Sequence, residues 1–116
     1  PHRDILKSAL GASEYVPWNG HSTAQDAIAS LRQKGYKIAA VEQTTSSIAL
    51  QDWQPNPHES WAFIFGNEVR GVEAETASLC DIAIEIPQFG AKQSLNVSVC
   101  GGIILWEAAR KMHFPY

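Results

Sequence analysis

The sequence predicts one α/β domain with a mostly parallel sheet flanked by helices. Short apolar runs bounded by turn residues recur at 37–41, 61–65 and 82–86, the pattern of buried parallel strands. Helical spacing appears between them, as in the stripe of Ala24, Ala27, Ile28 and Leu31. The elements read β-α-β-β-α-β-α over 116 residues, a length suited to a single domain with a substantial core.

At the start, Ile5, Leu6, Ala9, Leu10 and Ala12 predict a short helix that stops near Gly11. Residues 15–17 read as a short strand, and Trp18-Asn19-Gly20 has turn chemistry. Ser22 or Thr23 caps the next helix, which runs to about Lys34 with Gly35 just past its end. The strand at 37–41 follows. Residues 42–57 are loop-rich, with a short extended piece at 48–50 and a turn at Gln54-Pro55-Asn56-Pro57.

After the strand at 61–65 comes a short helix over 72–79, with Glu73 and Glu75 in a first turn favoured by the helix dipole. Pro87 cannot donate to a sheet ladder and so ends the strand of Ile82, Ile84 and Ile86. Gly90 permits a sharp turn, and Ser94 or Asn96 can cap the last helix. That helix, from Val97, is apolar on most sides, which predicts burial on more than one face. Gly101 and Gly102 in its middle leave space that a close-packed second helix would use.

Composition narrows the function. Charged residues make up 18% of the chain against about 25% in soluble domains, which points to surface covered by a partner. The net charge of −3 is unlike the basic footprint usual in nucleic-acid binding, although a local stripe of Lys and Arg is compatible with it. Cys80 and Cys100 read as buried reduced thiols. His2, His21, His58 and His113 lack metal-ligand spacing, so no metal is expected. Trp53 and Trp61 read as packing residues rather than base-stacking platforms. The apolar C-terminal run is too short and too interrupted to span a bilayer. No signal peptide is read, so the cytoplasm is the expected location. The first residue is Pro1 rather than Met, as in a processed or truncated chain.

Three motifs occur in order along most of the chain: V-E-Q-T at 41–44, F-I-F-G-N-E-V-R-G-V at 63–72, and I-P-Q-F-G-A-K-Q-S-L-N-V-S-V at 86–99. Together they resemble the SpoU (TrmH-like) branch of the SPOUT methyltransferases. The resemblance implies a C-terminal deep trefoil knot that binds S-adenosyl-L-methionine. True knots are very rare, so nothing but the resemblance licenses this one. Carried over by motif position, Gly66, Ile86 and Leu95 would contact the cofactor, and the loop at Thr44 would close a third side. Ser94 and Asn96 would face the same pocket. Glu68, Ser94 and Asn96 are the candidate catalytic residues.

The expected location agrees with the sheet itself. In open α/β sheets ligands bind beyond the carboxyl ends of the strands. Glu42-Gln43-Thr44, Phe65-Gly66-Asn67-Glu68 and Ile86-Pro87 are such ends, and backbone groups with a few apolar walls suit an adenine ring. The implied function is methyl transfer from S-adenosyl-L-methionine to a ribose 2′-hydroxyl of tRNA or rRNA, by a homodimer formed through the C-terminal helix. The family's first motif supplies an Arg near the ribose hydroxyl. This chain is expected to start downstream of that motif, and Arg3 does not stand in its context. A second reading is therefore a catalytically incomplete knot domain that binds cofactor or RNA, or only dimerises. An ordinary Rossmann-like nucleotide-binding protein is disfavoured, because no G-x-G-x-x-G follows a first strand.

Overall fold

The structure is a computed structural model that describes residue 20 and residues 23–66, 71–87 and 97–112. The described strands are β1 (Tyr36–Val41), β2 (Ile48–Ala49), β3 (Ser60–Phe65) and β4 (Ile82–Glu85). They form one parallel sheet in the order β2-β4-β1-β3. The helices are α1 (Ala24–Gln33), α2 (Ala74–Ser78) and α3 (Val97–Lys111), and a 3-10 turn (Leu50–Asp52) follows β2. Among the described strands no two consecutive in sequence are neighbours in the sheet. The last strand, β4, lies between β1 and β2.

The continuous burial of Ile38, Ala39 and Ala40 shows that β1 is covered on both faces. On one face Ala39 and Ile84 join Leu50, Trp53, Ile104 and Ala108 in a single core cluster. Trp53 is its aromatic centre, edge-on to Trp61 at 5.4 Å and to Phe63 at 5.7 Å between ring centroids. Trp53 is buried and Trp61 half-buried, and both pack in this cluster. On the other face, α1 packs against β1 and buries Ile28. Thr23 caps α1, its Oγ1 accepting from the Asp26 N–H at 3.0 Å. Gly35, at φ +89°, ends that helix and donates its N–H to the Arg32 carbonyl at 2.9 Å.

Several boundaries differ from the sequence reading. The extended piece at 48–50 is shortened, because Leu50 already opens the 3-10 turn. The helix expected over 72–79 covers Ala74–Ser78. Val72 stands outside it, its N–H donating to the Glu42 carboxylate, and Glu73 is the N-cap. The two cysteines are not joined in a disulfide and are only half-buried, and burial pushes both thiols up.

The larger correction concerns α3. Burial on more than one face was expected, yet within the chain Ile104 and Ala108 are buried while Leu105 is 63% and Trp106 57% exposed. Val97 and Val99 are exposed as well. A single sheet face can cover only one stripe of a helix, and the opposite stripe stays on the surface of the chain. The glycines also divide. A Cβ on Gly101 would stand 4.0 Å from the Phe65 ring, so an aromatic side chain uses that space. A Cβ on Gly102 would meet nothing within 4 Å.

Candidate functional site

The register of the sheet builds the site. Val41 is level with Phe65 on one side and with Ile84 on the other. The following residues, Glu42, Gly66 and Glu85, therefore stand in one row, with Ile86 just beyond. The convergence of strand ends expected from the sequence is present in the fold.

At the β3 end the chain leaves at Gly66 and returns at Gly71. A Cβ built on Gly66 would overlap the backbone of Gly71 and Val72, so the two ends of this segment touch main chain to main chain. Gly71 lies at φ +69°, the left-handed region that favours glycine. Glu42 closes the neck. Its Oε1 accepts from the Val72 N–H at 3.2 Å, and its own N–H donates to the Ile84 carbonyl at 2.9 Å. Val72 is buried and Glu42 half-buried, so an unpaired N–H here would cost about 1–3 kcal/mol.

On the other side of the row, Thr44 to Ser47 form a tight turn. The Ser47 N–H donates to the Thr44 carbonyl at 3.3 Å, and the Thr44 N–H donates to Ser47 Oγ at 3.2 Å. The Ser46 N–H donates to Thr44 Oγ1 at 3.3 Å. The Ser47 hydroxyl stands 2.7 Å from Glu85 Oε1 and 2.9 Å from the Thr44 carbonyl oxygen, which ties the turn to the end of β4.

Of the candidate cofactor contacts, Thr44 is exposed while Gly66 and Ile86 are half-buried, all at the carboxyl edge of the sheet. Leu95 and the candidate catalytic residues Glu68, Ser94 and Asn96 lie outside the described residues. So do the early helix, the strand expected at 15–17, Arg3, Gly90, His2, His21 and His113. Sequence reasoning placed Glu42 only at a strand end and missed its grip on Val72. The available signal was a carboxylate immediately after a buried strand, which needs a donor when it is not fully solvated.

The described edge fits an S-adenosyl-L-methionine site. The contact of Gly66 with Gly71 puts main chain rather than side chain at the β3 end, half-buried Phe65 and Ile86 are apolar, and the carboxylates of Glu42 and Glu85 are engaged by protein donors. Among the described residues no group of three His, Cys, Asp or Glu could hold a metal ion. None of the described helices is long and apolar enough to cross a membrane.

Known proteins are similar to this chain in sequence and in fold. A tRNA (guanosine(18)-2′-O)-methyltransferase of Borreliella burgdorferi is 32% identical over 103 residues, which cover 89% of this chain and 46% of that protein. The crystal structure of the A. aeolicus TrmH/SpoU tRNA modifying enzyme superposes with a TM-score of 0.78 at 29% identity, over 91% of this chain and 53% of that one. An AdoMet-bound rRNA methyltransferase from Sinorhizobium meliloti gives a TM-score of 0.64 at 29% identity, over 74% of this chain and 32% of that one. The chain spans about half the length of the curated relatives it matches. The profile of the SpoU rRNA Methylase family matches residues 1–106, from before α1 into α3 and across the whole sheet edge just described, and the chain belongs to that family.

Proposed function

We propose that the protein carrying this chain is an S-adenosyl-L-methionine-dependent RNA ribose 2′-O-methyltransferase acting on tRNA or rRNA. The observation that carries the reading is the row of Glu42, Gly66 and Glu85 at the sheet edge, flanked by the Gly66–Gly71 neck and the Thr44 turn. It stands in a chain whose relatives are named tRNA and 23S rRNA guanosine 2′-O-methyltransferases.

When bound, S-adenosyl-L-methionine supplies an already activated methyl group. The chain's own work is placement. Gly66, Ile86, Leu95 and the Thr44 turn hold the cofactor through backbone groups and apolar contact. Ser94 and Asn96 orient the ribose 2′-hydroxyl, so that its oxygen lies in line with the transferred group. Of these candidate catalytic residues only Glu68 carries a group that can accept the hydroxyl proton, while Ser94 and Asn96 contribute hydrogen bonds. A 2′-hydroxyl target selects RNA over DNA.

The same reading includes a C-terminal trefoil knot, cytoplasmic location and a two-fold homodimer through α3. The late entry of β4 between β1 and β2 supports the knot. The exposed apolar side chain of Leu105 on α3 supports the dimer, since an isologous contact is the commonest closed assembly.

The test has two parts on the full-length protein. Calorimetry with S-adenosylhomocysteine should give micromolar-range binding, about −8 kcal/mol. Transfer of tritiated methyl groups to total RNA, followed by nuclease mapping, should place the label on a ribose. Label on a base would overturn the substrate. Binding without any transfer would leave the incomplete module as the correct reading.

A further inference from the structure

We infer that Glu42 is a positioning residue for cofactor binding, acting through the neck at Gly71 and Val72; the inference rests on the function proposed above. Glu42 is the first residue past β1, the strand between β3 and β4. Its backbone N–H is spent on the Ile84 carbonyl at 2.9 Å, so its main chain is pinned to β4. Its side chain reaches the opposite way, to the Val72 N–H at 3.2 Å. A Cβ on Gly71 would stand 2.8 Å from Glu42 Oε1, so the carboxylate lies directly against the neck. One residue thus links the end of β4 to the return of the segment that leaves β3. Those are the elements carrying Ile86 and Gly66, two of the proposed cofactor contacts.

The contact is made through an acceptor, not through a charge pair with a cation. The Val72 N–H is a backbone donor on a buried residue that no helix uses, because α2 begins only at Ala74. Losing the acceptor frees Gly71 and Val72 to move away from Gly66, and the edge that faces the cofactor loses its shape. Retaining an acceptor of the same length keeps it.

The experiment compares Glu42→Gln, Glu42→Ala and Glu42→Asp in the full-length protein, with S-adenosylhomocysteine as the probe and circular dichroism as the check on folding. Glu42→Gln keeps a carbonyl at the same reach and should bind within about threefold of wild type. Glu42→Ala should bind at least about tenfold more weakly, as expected for loss of one charge-assisted hydrogen bond. Glu42→Asp keeps the charge but draws it back from Val72, and should fall between them. In methyl transfer, Glu42→Ala should raise KM for the cofactor while kcat stays within about twofold, a split that general destabilisation does not produce. Binding by Glu42→Ala within twofold of wild type overturns the inference; if that variant does not fold, the same result for Glu42→Asp does so. Failure of the unaltered protein to bind S-adenosylhomocysteine overturns the cofactor reading itself, and the inference with it.

Discussion

The ammonium of Lys111 lies 2.6 Å from the carbonyl oxygen of Trp53, and it ties the last turn of α3 to the far side of the core. It also donates to the carbonyls of Leu50 at 2.8 Å and Gln51 at 3.2 Å. These oxygens cluster at the 3-10 turn, and an ammonium has donors for all of them. The Lys111 side chain is only 14% exposed. Glu107, one helical turn earlier, approaches it at 3.6 Å.

Lys111→Met should therefore destabilise the fold. The stem is kept, but the carbonyls of Leu50, Gln51 and Trp53 lose their common donor. A loss of about 2 kcal/mol is expected, read as a lower midpoint in urea denaturation with little change in slope. An unchanged midpoint would mean that water replaces the ammonium without cost.

Gly66→Ala should disturb both stability and cofactor binding. The added methyl overlaps backbone at Gly71 and Val72, and backbone cannot rotate aside as a side chain does. A cost above about 2 kcal/mol is expected in denaturation, with weaker binding of S-adenosylhomocysteine by calorimetry. By motif position Gly66 is expected to contact the cofactor, where an added methyl would also intrude. The structure shows the neck as the first thing it strikes.

Gly102→Leu separates assembly from folding. Among the described residues nothing lies within 4 Å of a Cβ built on Gly102, and leucine is the better helix former by roughly 0.8 kcal/mol. The variant should fold at least as well as wild type, while light scattering at tens of micromolar shows monomer instead of dimer. A dimeric Gly102→Leu would remove this part of α3 from the interface.

Acid should weaken the end of α3. The hydrogen bond from Arg110, at 2.6 Å from Nε to Glu107 Oε1, holds the Glu107 carboxyl below the usual carboxylate range. A folded-state value below the unfolded one means the contribution is present above the unfolded value. It is lost as pH falls through the folded one. Glu107→Gln should flatten that part of the acid limb by less than about 1 kcal/mol, since surface pairs are weak.

Both thiols should alkylate slowly. Burial pushes Cys80 and Cys100 up, so less thiolate is present near pH 8 than in a free cysteine. Iodoacetamide labelling followed by mass spectrometry should be slower than for a peptide thiol at pH 8, and the gap should narrow as pH rises. Labelling at the peptide rate would show that the native state opens around these positions.

Local chemistry in the chain was enough to determine the class of fold and the position of the described strands β1, β3 and β4. Ile38 to Ala40 must be buried on both faces, Thr23 has the oxygen that α1 needs at its start, and Gly35 supplies the positive φ that ends it. The motif at 63–72 located the β3 edge because a glycine directly after a strand is a local fact. Tertiary structure decided the order β2-β4-β1-β3, since the periodicity of a strand does not name its neighbour. It also decided which stripe of α3 is covered. An all-apolar helix does not encode which of its sides meets the sheet, and only packing separates Ile104 from Leu105. The same holds for Glu42, whose partner Val72 lies thirty residues further along the chain and is brought to it by the parallel pairing of β1 with β3.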